Sequence, residues 1–282
     1  MKKSTFIALA LASSLLAVEI DIGKGTFKYK GSLASIFSAN CSLDITTLSL
    51  RDREIALPYN LRLSYWIDLY KSKRLDKLTT FFAKPLTYEW PFFGSIDNAI
   101  ENYTPLTTPA DYKVRGVDFN VALLYPLLNH NNLFISGGIN AGISMPFMKM
   151  DNPIEALKLM LTTLKTTKTR ITTYKIGPAL QARYSYDNID ASLFLAYNYQ
   201  TGSMRNSFID SSVDIDGSNT IVDVALSYHI NPKLAAHLGF SYKKWDNDDI
   251  HVKLLKAFSF QTTLFHNDFS IKNFYLGVSY NF

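Results

Sequence analysis

Two short motifs carry residue types that could do chemistry: Asp214-Ile215-Asp216 and Asp249-Ile250-His251. A pair of carboxylates can hold a water, and an imidazole beside a carboxylate can act as the base that deprotonates it. Each match is only three residues long, and matches of that length arise often by chance. Hydrophilic, Asp-rich loops that attract cations would contain the same residues. The expectation is therefore a solvated surface and no catalysis. Other templates fail outright. The chain has no Gly-x-Ser-x-Gly and no His-Glu-x-x-His. Its single cysteine, Cys41, excludes an internal disulfide and a paired-thiolate metal site, and reads as a small packed residue. Asp214-Ile215-Asp216-Gly217 lacks the spaced later ligands of a helix–loop–helix calcium site. Neither metal nor cofactor is expected.

A second chemical set is dispersed along the chain. Glu19, Asp21, Arg62, Asp68, Asp118, Lys175, Arg183, Asp223, His229, His237 and Lys243 each sit between apolar neighbours, on the polar phase of an alternating segment. On strands closed around a common interior they converge on one space. There they either line a hydrophilic passage or pair with one another, since unpaired buried charge is costly. The second outcome is the expected one for a narrow barrel.

Ten segments of period-two alternation supply the strands that must position these residues. They centre on residues 18–22, 41–50, 61–69, 117–125, 133–143, 174–186, 193–199, 222–230, 234–242 and 274–282. In the second, the apolar phase slips near Thr46-Thr47, which predicts a bulge. The last is the clearest: Phe274, Leu276, Val278, Tyr280 and Phe282 alternate with Tyr275, Gly277, Ser279 and Asn281. The connections alternate in length. Those at 51–60, 127–132, 187–190 and 231–232 are short, and those at 28–40, 71–111, 145–170, 201–219 and 246–270 are long.

Together these features resemble bacterial outer-membrane β-barrels, whose C-terminal strand ends in a phenylalanine read by the assembly machinery. That resemblance implies that Phe274, Tyr280 and Phe282 form an assembly signal and that both termini are periplasmic. The fold class expected is all-β: a closed antiparallel transmembrane barrel of about ten strands, with eight or twelve as alternatives. Residues 153–168, with Pro153 first and Ile154, Leu157, Leu161 and Leu164 on one stripe, predict a short helix in an outer loop. A second long loop, 75–108, is dense in Phe, Trp and Pro and should cover the barrel mouth or rest on lipid headgroups. Met1-Lys2-Lys3 and the apolar run to Leu16 read as a signal peptide over 1–17, leaving 18–282 as one barrel domain.

Composition agrees: 47% hydrophobic and 14% aromatic residues, with 17 Tyr and 19 Phe, suit a barrel with aromatic girdles. The net charge falls from +5 to +3 without Lys2 and Lys3, too little to suggest nucleic acid. The expected partners are outer-membrane lipid, lipopolysaccharide and the assembly machinery. The function expected is non-enzymatic, either structural or a narrow porin-like passage; surface adhesion through the long loops is the alternative. Omptin surface proteases are also ten-stranded barrels with Asp-x-Asp and Asp-x-His pairs near the outer rim, so Asp214, Asp216, Asp249 and His251 resemble that set. In omptins the pairs come from loops two apart, on opposite walls. Here they lie in adjacent loops, so they are not expected to converge.

Overall fold

The computed structural model describes residues 17–33, 37–73, 79–82, 111–151, 166–206, 212–248, 250–252 and 263–281. Ten long strands form the wall: β1 (Ala17–Leu33), β2 (Phe37–Ala56), β3 (Arg62–Ser72), β5 (Asp111–His130), β6 (Leu133–Asp151), β7 (Thr166–Tyr186), β8 (Ile189–Asn206), β9 (Ser212–Asn231), β10 (Leu234–Asn247) and β12 (Thr263–Asn281). Each pairs antiparallel with its neighbours, and β1 closes the circle by pairing with both β2 and β12. Two short strands extend individual edges: β4 (Thr79–Phe82) continues along β2, and β11 (Ile250–Val252) along β12. The count of ten is therefore correct, and the pairing of β11 adds no stave to the wall.

At one end, the turn end, the hairpins are tight. Asn131 and Asp187 adopt left-handed φ values of 51° and 53° in two-residue turns, a conformation that Asn and Asp tolerate better than most residues. In the β9–β10 turn, the Asn231 side chain accepts from the Lys233 and Leu234 backbone N–H groups, both at 2.9 Å. At the opposite, loop end, the strands run much further than the alternation suggests. β1 and β2 stay in register up to Leu33 and Phe37, so the expected long loop over 28–40 is strand at every described residue, 34–36 lying outside them. Much of the expected loops 145–170, 201–219 and 246–270 is likewise strand. Of the expected helix, residues 153–165 lie outside the described residues, while Thr166 to Lys168 are β7 strand. Residues 1–16 and Phe282 also lie outside them.

Alternation hides these extensions because each face of a strand changes environment along its length. On β2, Cys41, Leu43 and Ile45 are buried inside the barrel, and so are Thr47, Ser49 and Arg51 on the same parity, while Leu48 is exposed outside. The β1–β2 register is unbroken from Glu19 to Leu33, so there is no bulge at Thr46-Thr47. The irregularity in this strand lies between Asp52 and Ile55. What changes at Thr46 is the dry side. Near the turn end the apolar face points out; near the loop end it points in. The same inversion occurs on β12, where Phe269 and Ile271 are inside but Phe274, Leu276 and Val278 are outside.

The outward apolar band stops sharply on every long strand. Its upper neighbours are Lys24, Lys71, Arg115, Lys149, Lys244 and Lys272 on six strands, and Thr46, Thr172, Thr201 and Thr220 on the other four. Five outward residues of β10, Leu234 to Tyr242, cover about the height of a bilayer core when strands tilt. Beyond that border the wall continues for up to ten residues on β1, roughly 25 Å of further height.

Leu226→Arg and Leu238→Arg, in mid-band, should each cost ~2–4 kcal/mol in a bilayer, whereas Thr220→Arg at the border should stay within about 1 kcal/mol. Urea titration of vesicle-embedded protein reads the difference, and equal costs would contradict the assigned band. Arg at inward Asn120 or Asn198 should be no better tolerated. Both are 0% exposed, and Asn198 bridges Asn140 and Asn219 at 3.0 and 3.1 Å. The interior is polar there, but full.

Candidate functional site: the lumen

Four aspartates, two lysines and an arginine meet inside the band. Arg51 is the hub: its guanidinium lies 2.8 Å from Asp223, 3.0 Å from Asp21 and 3.6 Å from Asp68. It also covers the Tyr275 ring at 4.2 Å, and the Tyr275 hydroxyl donates to Asp223 at 2.9 Å. Lys243 bridges Asp68 and Asp118, and Lys175 donates to Asp118 at 2.6 Å. Asp118 further accepts from Asn120 and Ser144 at 2.9 and 2.5 Å. Alternation places all of these side chains inward, where the closed wall brings opposite charges together.

The expected set is thus largely united. Asp68, Asp118, Lys175, Asp223 and Lys243 belong to this network, and His237 joins it through Asp21. Arg183 and His229 do not; they meet at Asp190 near the turn end, at 2.6 and 2.8 Å. Arg62 stands apart, over the Phe134 ring at 3.7 Å. The residue that sequence reasoning misses is Arg51, which falls in an expected turn although it continues the inward parity of Cys41, Leu43 and Ile45. Inward glycines make room for the network. A Cβ at Gly277 would lie 2.0 Å from Asp21 Oδ1 and 2.6 Å from His237 Nε2.

Glu19, Asp21 and His237 bring three potential ligand atoms within 4.8 Å of one another. The Arg51 guanidinium already supplies positive charge at Asp21, so a divalent cation would meet repulsion there.

On the loop-end side the lumen is closed by apolar packing. Phe27, Leu43, Tyr70, Ile171, Trp245 and Phe269 belong to one buried cluster, to which every long strand of the wall contributes. Trp245 stacks on Phe269 at 4.6 Å, and Phe27 packs between Phe269 and Tyr70 at 6.0 and 6.4 Å. Trp245 ties the tiers together: its indole N–H donates to Ser144 Oγ at 3.0 Å, and Ser144 donates to Asp118. Cys41 lies in this apolar tier, where burial pushes its thiol up to about 12, so it is a packing residue and not a nucleophile.

A cavity of about 30 Å³ lies in the lumen beside Arg51, Trp66, Gln181, Phe194 and Asp223. That is room for about one water. A cleft of about 570 Å³ lies at the turn end, beside Leu57, Arg62 and Phe134, outside the seal.

Asp214 and Asp216 are exposed on the parity opposite to buried Ile215 and Gly217, so they face away from the lumen. Asp216 accepts from the outward Tyr199 hydroxyl at 3.1 Å. Asp249 lies outside the described residues, as does the side chain of His251. The β10–β11 connection follows the same wall, since the Asp248 N–H donates to the Asp216 carbonyl at 2.8 Å.

With closure, band and lumen established, comparison with solved structures is informative about architecture. The outer membrane protease OmpT of Escherichia coli aligns with a TM-score of 0.56 at 10% identity, covering 94% of this chain and 97% of that one. The fold is that of outer-membrane β-barrels. The transport unit of the autotransporter AIDA-I from Escherichia coli aligns at 13% identity with a TM-score of 0.39, over 99% and 97% of the two chains. Neisserial surface protein A aligns at 10% identity with a TM-score of 0.30, over 93% and 97%. No family model matches the sequence, and no curated protein sequence does. At these identities the OmpT likeness speaks for the barrel and not for its chemistry.

Proposed function

We propose that this is a non-enzymatic outer-membrane protein with a sealed lumen, a rigid barrel that presents its loop end to the outside and keeps both termini in the periplasm. One observation carries this reading: the interior is filled twice over, by the ion-paired tier around Arg51 and Asp118 and by the apolar tier around Trp245. A solute passage would need hydrated space along the axis, and buried ion pairs with packed aromatics above them occupy it. A structural role or binding at the outer surface is compatible with a solid interior. The protease reading is disfavoured because Asp214 and Asp216 face away from any groove the lumen could offer.

Planar-bilayer recording tests the seal. The full chain should give no conductance steps, and a variant lacking residues 75–108 should be equally silent, because neither filled tier draws a described residue from that segment. Reproducible ion-conducting steps from the unmodified chain would overturn the reading.

A further inference from the structure

At the turn end the wall is zipped to its rim at two seams and open at a third. Between β6 and β7 the register reaches Leu133 and Tyr184, and the Ser185 N–H donates to the Asn132 carbonyl at 2.9 Å. Between β8 and β9 it reaches Ile189 and Tyr228, and the His229 N–H donates to the Asn188 carbonyl at 2.8 Å. Between β3 and β5 the register ends at Arg62 and Leu124, whereas β5 stays paired with β6 as far as His130 and Leu133. The β2–β3 hairpin turns early: the Leu57 N–H donates to the Leu61 carbonyl at 2.8 Å, and Tyr59 and Asn60 take left-handed φ values of 63° and 60°. That conformation is strained for a side chain as bulky as tyrosine, and it leaves Tyr59 90% exposed. Among the described residues, no backbone hydrogen bond joins residues 125–130 to the 57–61 turn.

The gap is the cleft of about 570 Å³, a volume in the range of ligand sites. Leu57, Leu61 and Phe134 give it apolar surface, and Asn60 and Asn129 give it side-chain amides. Arg62 brings positive charge, its guanidinium carbon 3.7 Å from the centre of the Phe134 ring. A guanidinium has five donors, so it can take a carboxylate in addition to the contacts it already makes. The complement of an open strand edge is another extended backbone. Pro126 and the register shift between it and Leu128 interrupt this edge, which keeps any added strand short. An added strand antiparallel to β5 runs in the direction of β3, so its C-terminal end points at Arg62. We infer that this seam is a docking site for a short extended peptide segment with a carboxylate at its C-terminal end, which adds as a strand along residues 127–130 of β5 and continues the line of the β3 ladder. On the reading that the turn end faces the periplasm, the partner is an extended acidic segment of a periplasmic protein. The partner's location rests on that reading; the binding itself does not.

The probe is a fluorescein-labelled peptide of alternating threonine and valine that ends in glutamic acid. Two matched forms accompany it, one ending in an amidated glutamine and one N-methylated at alternate residues. Titrated by fluorescence anisotropy against the full chain in detergent micelles, the acidic form should bind saturably. The amidated form should bind roughly tenfold more weakly, and the N-methylated form roughly tenfold or more, because it lacks half its ladder donors. Arg62→Gln should abolish the preference for the acidic form and leave the amidated form's affinity unchanged. In the unmodified chain, bound peptide should slow amide hydrogen exchange at residues 127–130 and not in the 187–188 turn. Equal binding of the N-methylated form, or unchanged exchange at 127–130, would overturn the inference. So would the same protection from phosphatidylglycerol alone, which would assign the cleft to lipid. The location is tested separately with Tyr59→Cys and a membrane-impermeant maleimide, Cys41 being buried. Labelling should require permeabilised outer membranes; labelling of intact cells would overturn the periplasmic partner and leave the binding results standing.

Discussion

Arg51→Met should destabilise the barrel by roughly 3–5 kcal/mol, the range for removing one partner from a buried charge cluster. The guanidinium is in contact with Asp21, Asp68 and Asp223, and its side chain is 5% exposed. Methionine fills much of the same volume, so the loss is mainly electrostatic: three carboxylates keep Lys243, the Tyr275 hydroxyl and His237 but lose their common cation. Adding Asp223→Asn to Arg51→Met removes one stranded anion and should recover part of the loss, although either change alone is destabilising. Urea unfolding in detergent micelles, with both singles and the double, measures the coupling. A single-variant cost below about 1 kcal/mol, or strict additivity in the double, would show that the lumen is hydrated and the network screened.

The second large effect is expected at Trp245. Its side chain is 0% exposed, stacked on Phe269 and hydrogen-bonded to Ser144. Trp245→Ala should cost roughly 3–5 kcal/mol, because the surrounding wall strands cannot collapse into the space. Trp245→Phe keeps most of the packing and loses chiefly the indole hydrogen bond, so about 1 kcal/mol is expected. The outward aromatic Tyr242, three positions earlier on the same strand, provides the contrast. Tyr242→Ala should matter in a bilayer but much less in detergent, where micelle molecules adapt to the missing ring. Similar losses for Trp245→Ala and Tyr242→Ala in detergent would refute a packed tier at the loop end.

The membrane-crossing half of each strand is legible in the sequence because its apolar face obeys one rule throughout: even positions on β9, β10 and β12, odd positions on β5, β6 and β8. The other half is not, because the same strands exchange dry and wet sides at the lipid border. Cys41, Leu43 and Ile45 then look out of phase with Leu48 and Leu50, and an uninterrupted strand reads as a slip followed by a loop. The inward charges are legible as a set but not as pairs. Arg51 and Asp223 are 172 positions apart, and only closure of the circle decides that they meet. At the loop end, parity settles the fate of the acidic motif: with Ile215 packed inside, Asp214 and Asp216 on either side of it must face out.

The two edges of the apolar band are built differently, and this fixes how the barrel responds to membranes of different thickness. Toward the loop end the border is abrupt, with lysine or arginine on six strands. Toward the turn end it fades through Tyr125, Tyr184, Tyr186 and Tyr228, side chains at home in both hydrocarbon and headgroup. A thicker bilayer would drown cations if it grew past the first edge, but only wets or covers phenol rings at the second. Hydrophobic mismatch is therefore absorbed at the tyrosine edge while the charged edge holds its level. The chain carries its own depth gauge, graduated at one end only.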